Sequence, residues 1–311
     1  MPRSWILKRP PICGIALSSC ARNWWVRLEP ILLNSSFGAA VSTYDAAAIP
    51  QRLAADRLAE EAWRLLASDS SAAPVKAPDC LLDLGCGTGL ATRAWLDLLQ
   101  DQGQLPPRQL LLLDQAPEMV AHAMALLSER HGAVQGLSVD AFSSDLVRVL
   151  AETPVADGMR LILSSYALQW SEAPLTVLRE VWARLLQPGD WLALVVPDAR
   201  SLALLRRALS AASLPNHLIE LPAEQDLIGP AAQRCLDSRF IWVGSGSFAN
   251  AVAVDSALAY LRHFALIGAR PPSSRYSRSQ LVRLRRVLDQ QLREGPAVLD
   301  YHSTWMVLRR R

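Results

Sequence analysis

Lysine is almost missing from this 311-residue chain: Lys8 and Lys76 are the only two, and every other basic residue is arginine. No uninterrupted apolar run approaches the ~20 residues that cross a bilayer, which excludes a chain that spans a membrane on a helix. Charge of neither sign is in large excess: 32 basic and 29 acidic residues leave +3, too little to argue for nucleic acid. The five cysteines (Cys13, Cys20, Cys80, Cys86, Cys235) are odd in number and show no C-x-x-C or Cys/His spacing. That excludes a disulfide framework and a zinc site, and it fits a reducing compartment, so a cytoplasmic location without a metal is expected. Internal repeats and low-complexity tracts are also lacking. What is present is apolar substance: 51% hydrophobic against 20% charged residues, enough to bury a sizeable core and exclude wholesale disorder.

Residues 1–36 read differently from the rest. Arg3, Lys8, Arg9, Arg22 and Arg27 face a single acid, Glu29, with no clean periodicity. Leu17-Ser18-Ser19-Cys20 has the look of a lipoprotein cleavage box, and the basic, acid-poor composition that of a transit peptide, but neither has its full set of parts. A poorly ordered extension or leader is the favoured reading. From Phe37 the pattern turns helical, and residues 51–66 carry Leu53, Leu58, Ala62, Leu65 and Leu66 on one broad face. A polar Ala/Pro/Ser linker follows at 68–78. Short apolar runs at 80–84, 110–113, 134–139, 161–163 and 191–196 then alternate with helical stretches at 91–99, 117–128, 146–152 and 175–186. Such alternation indicates a parallel sheet covered on both faces. After Pro197 it stops; 240–248 and 298–308 read as strands, 255–266 and 277–292 as helices.

The most informative segment is Leu82-Asp83-Leu84-Gly85-Cys86-Gly87-Thr88-Gly89, where the first strand gives way to a helix. Three glycines let the backbone turn tightly and let a ligand lie against it. Asp83 can accept a hydrogen bond from an ammonium or its water, and Asp114, ending the second strand, can accept from both hydroxyls of a ribose. Gly89 follows Gly87 by two residues, not three, so the spacing is not that of a dinucleotide pyrophosphate loop.

This run resembles the first motif of the S-adenosylmethionine-dependent methyltransferases of the Rossmann-like class. The resemblance implies an α/β fold: a seven-stranded sheet with helices on both faces, an extra N-terminal helix and a late helical insertion. It implies one methyltransferase domain over 37–311, with a cofactor-binding core at about 79–200 and a substrate-side part at about 201–311. Asp83 and the loop Gly85, Cys86, Gly87, Gly89 would contact the methionine part and ribose of S-adenosylmethionine. Asp114 would hold the ribose hydroxyls and Gln115 would lie beside the adenine. At the end of the third strand Asp140-Ala141 takes the slot of the adenine-amino contact, with Asp145 as a rival; either acid could instead cap the next helix.

Ser164-Ser165-Tyr166-Ala167-Leu168-Gln169-Trp170 follows the fourth strand, on the side where the methyl group should lie. Methylases of nucleic-acid amino groups carry an N/D-P-P-Y/F run here, and this chain does not. The segment resembles instead that of the malonyl-acyl carrier protein O-methyltransferases of biotin synthesis. Residues 37–51, 257–269 and 299–302 resemble that branch as well. The resemblance implies methyl transfer to the free carboxylate of a malonyl group on acyl carrier protein, with malonyl-coenzyme A as an alternative acceptor; a same-fold methyltransferase of another small acid or a quinone, and a non-catalytic accessory protein that kept the fold, stay open. Neither nucleic acid nor a membrane is implied, and a monomer is expected. Ser164 would line the cofactor, and Tyr166, Gln169 and Trp170 the substrate side. Departures fall on the substrate side: Ser165-Tyr166 replaces an Asn-Leu pair, Met159-Arg160 a Phe-Asp pair, and Pro197-Asp198-Ala199-Arg200-Ser201 a glycine-rich run. Tyr44 and Tyr301 can equally be packing residues with polar tips, and His217, His263 and His302, which have no evident partner, are expected to be structural or at the surface. Residues 261–311 hold eleven arginines against three acids. On the helix at 277–292 an apolar stripe of Leu281, Leu284, Leu288 and Leu292 leaves Arg283 and Arg286 facing out. That face is either simply solvated or a docking surface for the acidic carrier protein.

Overall fold

A computed structural model describes residues 30–69, 76–269 and 276–311. The leader readings, including the Cys20 box, lie outside the described residues. Two helices come first, α1 (Pro30–Ala47) and α2 (Ile49–Asp69). Five strands then alternate with helices: β1 (Cys80–Leu84), α3 (Leu90–Asp101), β2 (Gln109–Asp114), α4 (Pro117–Ser128), β3 (Val134–Ser138), α5 (Asp145–Glu152) and β4 (Arg160–Ser165). Next, α6 (Pro174–Thr176) runs on through a π turn at Val177–Val181 and a 3-10 turn at Trp182–Arg184 to β5 (Trp191–Pro197). Beyond β5 come α7 (Ala203–Ala211), α8 (Glu224–Ile228), α9 (Pro230–Leu236), β6 (Phe240–Ala249), β7 (Val252–Ala253), α10 (Ala257–Leu266), α11 (Arg278–Glu294), β8 (Val298–Leu299) and β9 (His302–Arg310).

The main sheet has seven strands in the order β3-β2-β1-β4-β5-β9-β6, while β7 and β8 form a separate ribbon. Strands β1 to β5 run parallel, and β9 lies antiparallel between β5 and β6. This is the expected sheet, and its apolar runs follow from the pleat. Leu81, Leu112, Leu163 and Val195 point to α2, α3 and α4. Leu82, Leu113, Ile162 and Leu194 point to α5, the Val177–Arg184 turns, α8 and α9. Both faces are buried, so neither set can be polar. A third cluster, built from α7, α10 and α11 with Leu299 and Tyr301, forms a cap.

Several expectations need correction. Helix α1 starts at Pro30, so the boundary expected between 36 and 37 falls inside a helix. On α2, Leu53 is 43% exposed; the buried stripe is Ala54, Ala55, Leu58, Ala59, Ala62 and Leu66, shifted round by one position. The single helix expected at 175–186 is wound unevenly, with one turn widened and the next tightened. On α11, Leu281 is 38% exposed, and the stripe starts at Leu284. The one strand expected at 298–308 is two, because the chain leaves the β7–β8 ribbon at Asp300 and enters the main sheet at His302.

Asp300 fixes that change of sheet. Its carboxylate accepts the Leu204 backbone N–H at 3.0 Å and the Tyr260 hydroxyl at 2.9 Å, so one acid joins α7, α10 and the strand. Replacing Asp300 with alanine removes both bonds and leaves the buried Tyr260 hydroxyl without that acceptor. The expected loss is about 3 kcal/mol of unfolding free energy, read from urea titration. A loss near zero would show that the cap is held by apolar packing alone.

Candidate active site

The site is built at the carboxyl edge of the sheet, where β1, β2, β3 and β4 end side by side. Gly85, Gly87 and Gly89 all have positive φ (73°, 51° and 82°), which only glycine adopts without strain. A methyl group on Gly85 would fall 2.3 Å from Ala167 Cβ, so the loops after β1 and β4 touch there. A methyl group on Gly87 would meet nothing within 4 Å; this glycine faces open space. Asp114 holds the loop from β2, its Oδ2 accepting the Gly87 N–H and its Oδ1 the Ala116 N–H, both at 2.9 Å.

Asp83 lies fully buried beneath the loop. Its Oδ2 accepts from the Thr92 hydroxyl at 2.7 Å and the Thr92 N–H at 3.2 Å, while its Oδ1 has no partner. Burial, together with the charge on Asp114, pushes its pKa up to about 6 against the Thr92 bonds. Burial likewise raises Asp114 and keeps the Cys86 thiol, which lies near both acids, protonated. Gln115 is exposed at the strand end, and Ala141 is buried. Asp140, exposed after β3, accepts the Phe142 N–H at 2.8 Å, while its rival Asp145 opens α5 beside Arg148 at 4.0 Å. The Ser164 hydroxyl is buried and donates to the Leu84 carbonyl at 2.8 Å. It braces the end of β4 against the end of β1.

The substrate-side trio makes contacts within the protein. Tyr166 has φ 54°, unusual for a bulky side chain and a sign of a constrained turn. Its hydroxyl meets Ser303 Oγ at 2.7 Å and accepts from Asn250 Nδ2 at 2.9 Å, which ties the ring to β9. Gln169 donates to the Tyr166 carbonyl at 2.5 Å and keeps a buried, unpartnered Oε1. Trp170 packs edge-on against Phe37 of α1, centroids 5.6 Å apart. His263 is structural: its Nδ1 meets the Ala47 carbonyl and its Nε2 the Tyr301 hydroxyl, and burial pushes its pKa down to about 4.

Sequence reasoning missed Asp45. From α1 it accepts the Thr88 hydroxyl at 2.5 Å and pairs with Arg93 at 2.6 Å, fastening the helix to the glycine loop and to α3. Tyr44 is carried in next to it, close enough to Asp114 and Asp45 that their charges add to burial in raising its phenol. Only the Tyr-Asp pair in α1 hinted at this, because the contact joins residues 43 apart.

A family model described as a methyltransferase domain matches residues 82–194, which span the loop, Asp114, Asp140 and the β4 segment. That segment is similar to a methyltransferase domain over about a third of the chain. Over 264 residues it is 31% identical to the biotin biosynthesis bifunctional protein BioCD of Bordetella avium, an alignment that covers 84% of this chain and 49% of that protein. The chain thus spans about half the length of this curated relative. It is 26% identical over 283 residues to the malonyl-[acyl-carrier protein] O-methyltransferase of Pseudescherichia vulneris, covering 89% of this chain and 96% of the relative. Loganic acid methyltransferase, solved with SAH, shares the fold at a TM-score of 0.53 and 13% identity, covering 85% of this chain and 94% of that one.

The residues at this edge of the sheet would fit a positively charged ligand such as S-adenosylmethionine. Asp83 presents a buried oxygen that lacks a donor, Gly87 opens onto space, and Asp114 keeps lone pairs beyond the two engaged by backbone N–H groups. Among the described residues, no group of three or more His, Cys, Asp or Glu side chains is placed to hold a metal, and no helix is long and apolar enough to cross a membrane.

If Asp45 latches α1 over the site, Asp45→Ala should free that helix first. Hydrogen exchange should show α1 amides opening more easily by about 1.5–3 kcal/mol, with α3 and the sheet unchanged. Unaltered exchange in α1 would show that Asp45 does not hold it.

Proposed function

We propose that the domain transfers a methyl group from S-adenosylmethionine to the free carboxylate of a malonyl group carried by acyl carrier protein. The observation that carries this reading is that two groups able to act as bases on the substrate side, Tyr166 and His263, are already engaged or too weak. Tyr166 is tied to Ser303 and Asn250. His263 is bonded at both nitrogens and pushed down to about 4, too weak a base for an alcohol or an amide. Such a site suits a nucleophile that arrives ionised, and a carboxylate with an intrinsic pKa of roughly 3–4 does so. The malonyl-carrier relative, aligned over nearly its whole length, supports the same acceptor.

When bound, S-adenosylmethionine supplies an electrophilic methyl group on a positively charged sulfur, which leaves as a neutral thioether once the carboxylate oxygen has taken the methyl. What remains for the protein is alignment and the exclusion of water. Asp114 would accept from the ribose hydroxyls, and Asp83 would hold the ammonium directly or through water. Gln115 and Asp140 would flank the adenine. The backbone of Gly85, Cys86, Gly87 and Gly89 would carry the methionine part, with Gly87 the closest approach. Helix α1, bearing Tyr44, would close the site from above. The Tyr166 network would hold the β4 turn rigid instead of touching the reacting atoms.

Labelled S-adenosylmethionine offered with malonyl-carrier protein, malonyl-coenzyme A, small free acids and a quinone tests the reading. Label should appear on malonyl-carrier protein fastest, and as a base-labile ester. Transfer to a free acid or a quinone alone would contradict it. For the cofactor, Asp114→Ala should weaken binding by about 30-fold or more, roughly 2 kcal/mol or above. Asp114→Asn, which keeps one acceptor oxygen, should lose less. Unchanged affinity in a folded Asp114→Ala protein would remove Asp114 from the cofactor site.

A further inference from the structure

We propose that the outer face of α11 is where the carrier protein docks, an inference that rests on the carrier-borne acceptor proposed above. The inner stripe of the helix, Leu284, Leu288 and Leu292, is buried in the cap. The rest of its surface is predominantly basic, five arginines against Asp289 and Glu294. Arg278, Arg283, Arg285, Arg286 and Arg293 are all exposed. Only Arg285 has an acidic neighbour, Asp289 at 3.6 Å; among the described residues the other four make no ion pair. Like charges a turn apart repel, so a face whose sole task is to be solvated is better served by mixed signs.

Two observations set this face apart from a generally arginine-rich surface. First, charge is segregated along the chain. Residues 261–311 hold eleven arginines and three acids, whereas residues 1–260 hold more acids than bases. Second, Val282 is 56% exposed, the most exposed large apolar residue of the helix. It lies on one helical row with Arg278 four residues before it and Arg286 four residues after. An apolar contact framed by arginines fits an acidic partner that presents carboxylates around an apolar spot, the complement expected of a carrier protein.

The position is suitable too. Helix α11 packs against α10, and α10 packs against α1. At the usual helix spacing this puts α11 about two helices, roughly 16–20 Å, from the helix that closes the site. A carrier seated on α11 thus lies beside the site without entering it, and its acyl group travels on its flexible thioester arm. Complementary charge would act mainly on the association rate, and salt would screen it.

The test compares wild type with Arg283→Glu/Arg286→Glu and with Val282→Ser, using malonyl-carrier protein and malonyl-coenzyme A as acceptors at low and moderate salt. At low salt the double charge reversal should raise KM for the carrier substrate about tenfold, the scale of a steering gain. The gap should narrow as salt rises. Val282→Ser should raise the same KM with little salt dependence. Both variants should keep wild-type melting temperature, S-adenosylmethionine affinity and malonyl-coenzyme A turnover. Wild-type protein that methylates the carrier while neither variant changes its KM overturns the docking surface alone, as does an equal loss on both acceptors. Wild-type protein that neither binds nor methylates the carrier overturns the proposed function and the docking surface together.

Discussion

A carboxylate buried without a full set of partners is the constraint around which this site is arranged. Asp83, the penultimate residue of β1, lies under the glycine loop, fully enclosed, with one oxygen held by Thr92 and the other bare. An ionised group in that position costs several kcal/mol unless a cation or a donor reaches it. The fold places a second acid, Asp114, near enough to raise its pKa further, and uses Asp114 to pin the backbone of Gly87. Asp114 thus both holds the loop and adds its charge beside Asp83. A positively charged cofactor relieves that field, and a neutral or anionic one does not.

The second layer of the arrangement comes from far along the chain. Helix α1 reaches the loop through Asp45, the cap through His263 and Leu266, and the β4 segment through the contact of Phe37 with Trp170. Tyr166, Asn250 and Ser303 form a closed hydrogen-bonded set in which Ser303 donates to Asn250 at 3.0 Å. The cofactor edge, the cap and the first helix are therefore fastened through polar contacts, whereas the two faces of the sheet are held by Leu, Val and Ala. Apolar packing sets the frame and directed bonds set the geometry of its open edge.

The sequence showed the frame well and the edge only in part. Runs such as Leu110 to Leu113 are apolar on both faces of the pleat, a pattern that a buried parallel strand imposes locally, and the glycine loop carries its own conformational requirement. The hydrogen bonds of Tyr166 and Ser164 were not legible, because their partners Ser303, Asn250 and Leu84 meet them only across the folded sheet. Asp45 was barely legible for the same reason: its partners, Thr88 and Arg93, are neighbours only after the sheet has formed. Leu53 and Leu281 were misplaced because a broad amphipathic face does not specify its own edge; α2 and α11 turn slightly and bury the residues beside them. Asp300 broke an expected strand through bonds to α7 and α10 that no local pattern announces.

The pKa of Asp83 gives the most direct measurement. Its folded value near 6 stands above the ordinary 3.8. Without a bound cation the folded protein therefore keeps a proton that the unfolded chain releases, and that contribution to stability is lost as pH rises through about 6. A cation beside Asp83 favours the ionised form, so binding at pH 5 must expel the proton, while binding at pH 7 finds it already gone. Calorimetry of S-adenosylmethionine binding in buffers of different ionisation enthalpy should show release of close to one proton at pH 5, falling toward none at pH 7. Affinity should rise by up to about tenfold per pH unit below 6. Asp83→Asn should abolish both effects. Binding that releases no proton at pH 5, with affinity flat from pH 5 to 7, would contradict the claim that this buried carboxylate receives the positive charge of the methyl donor.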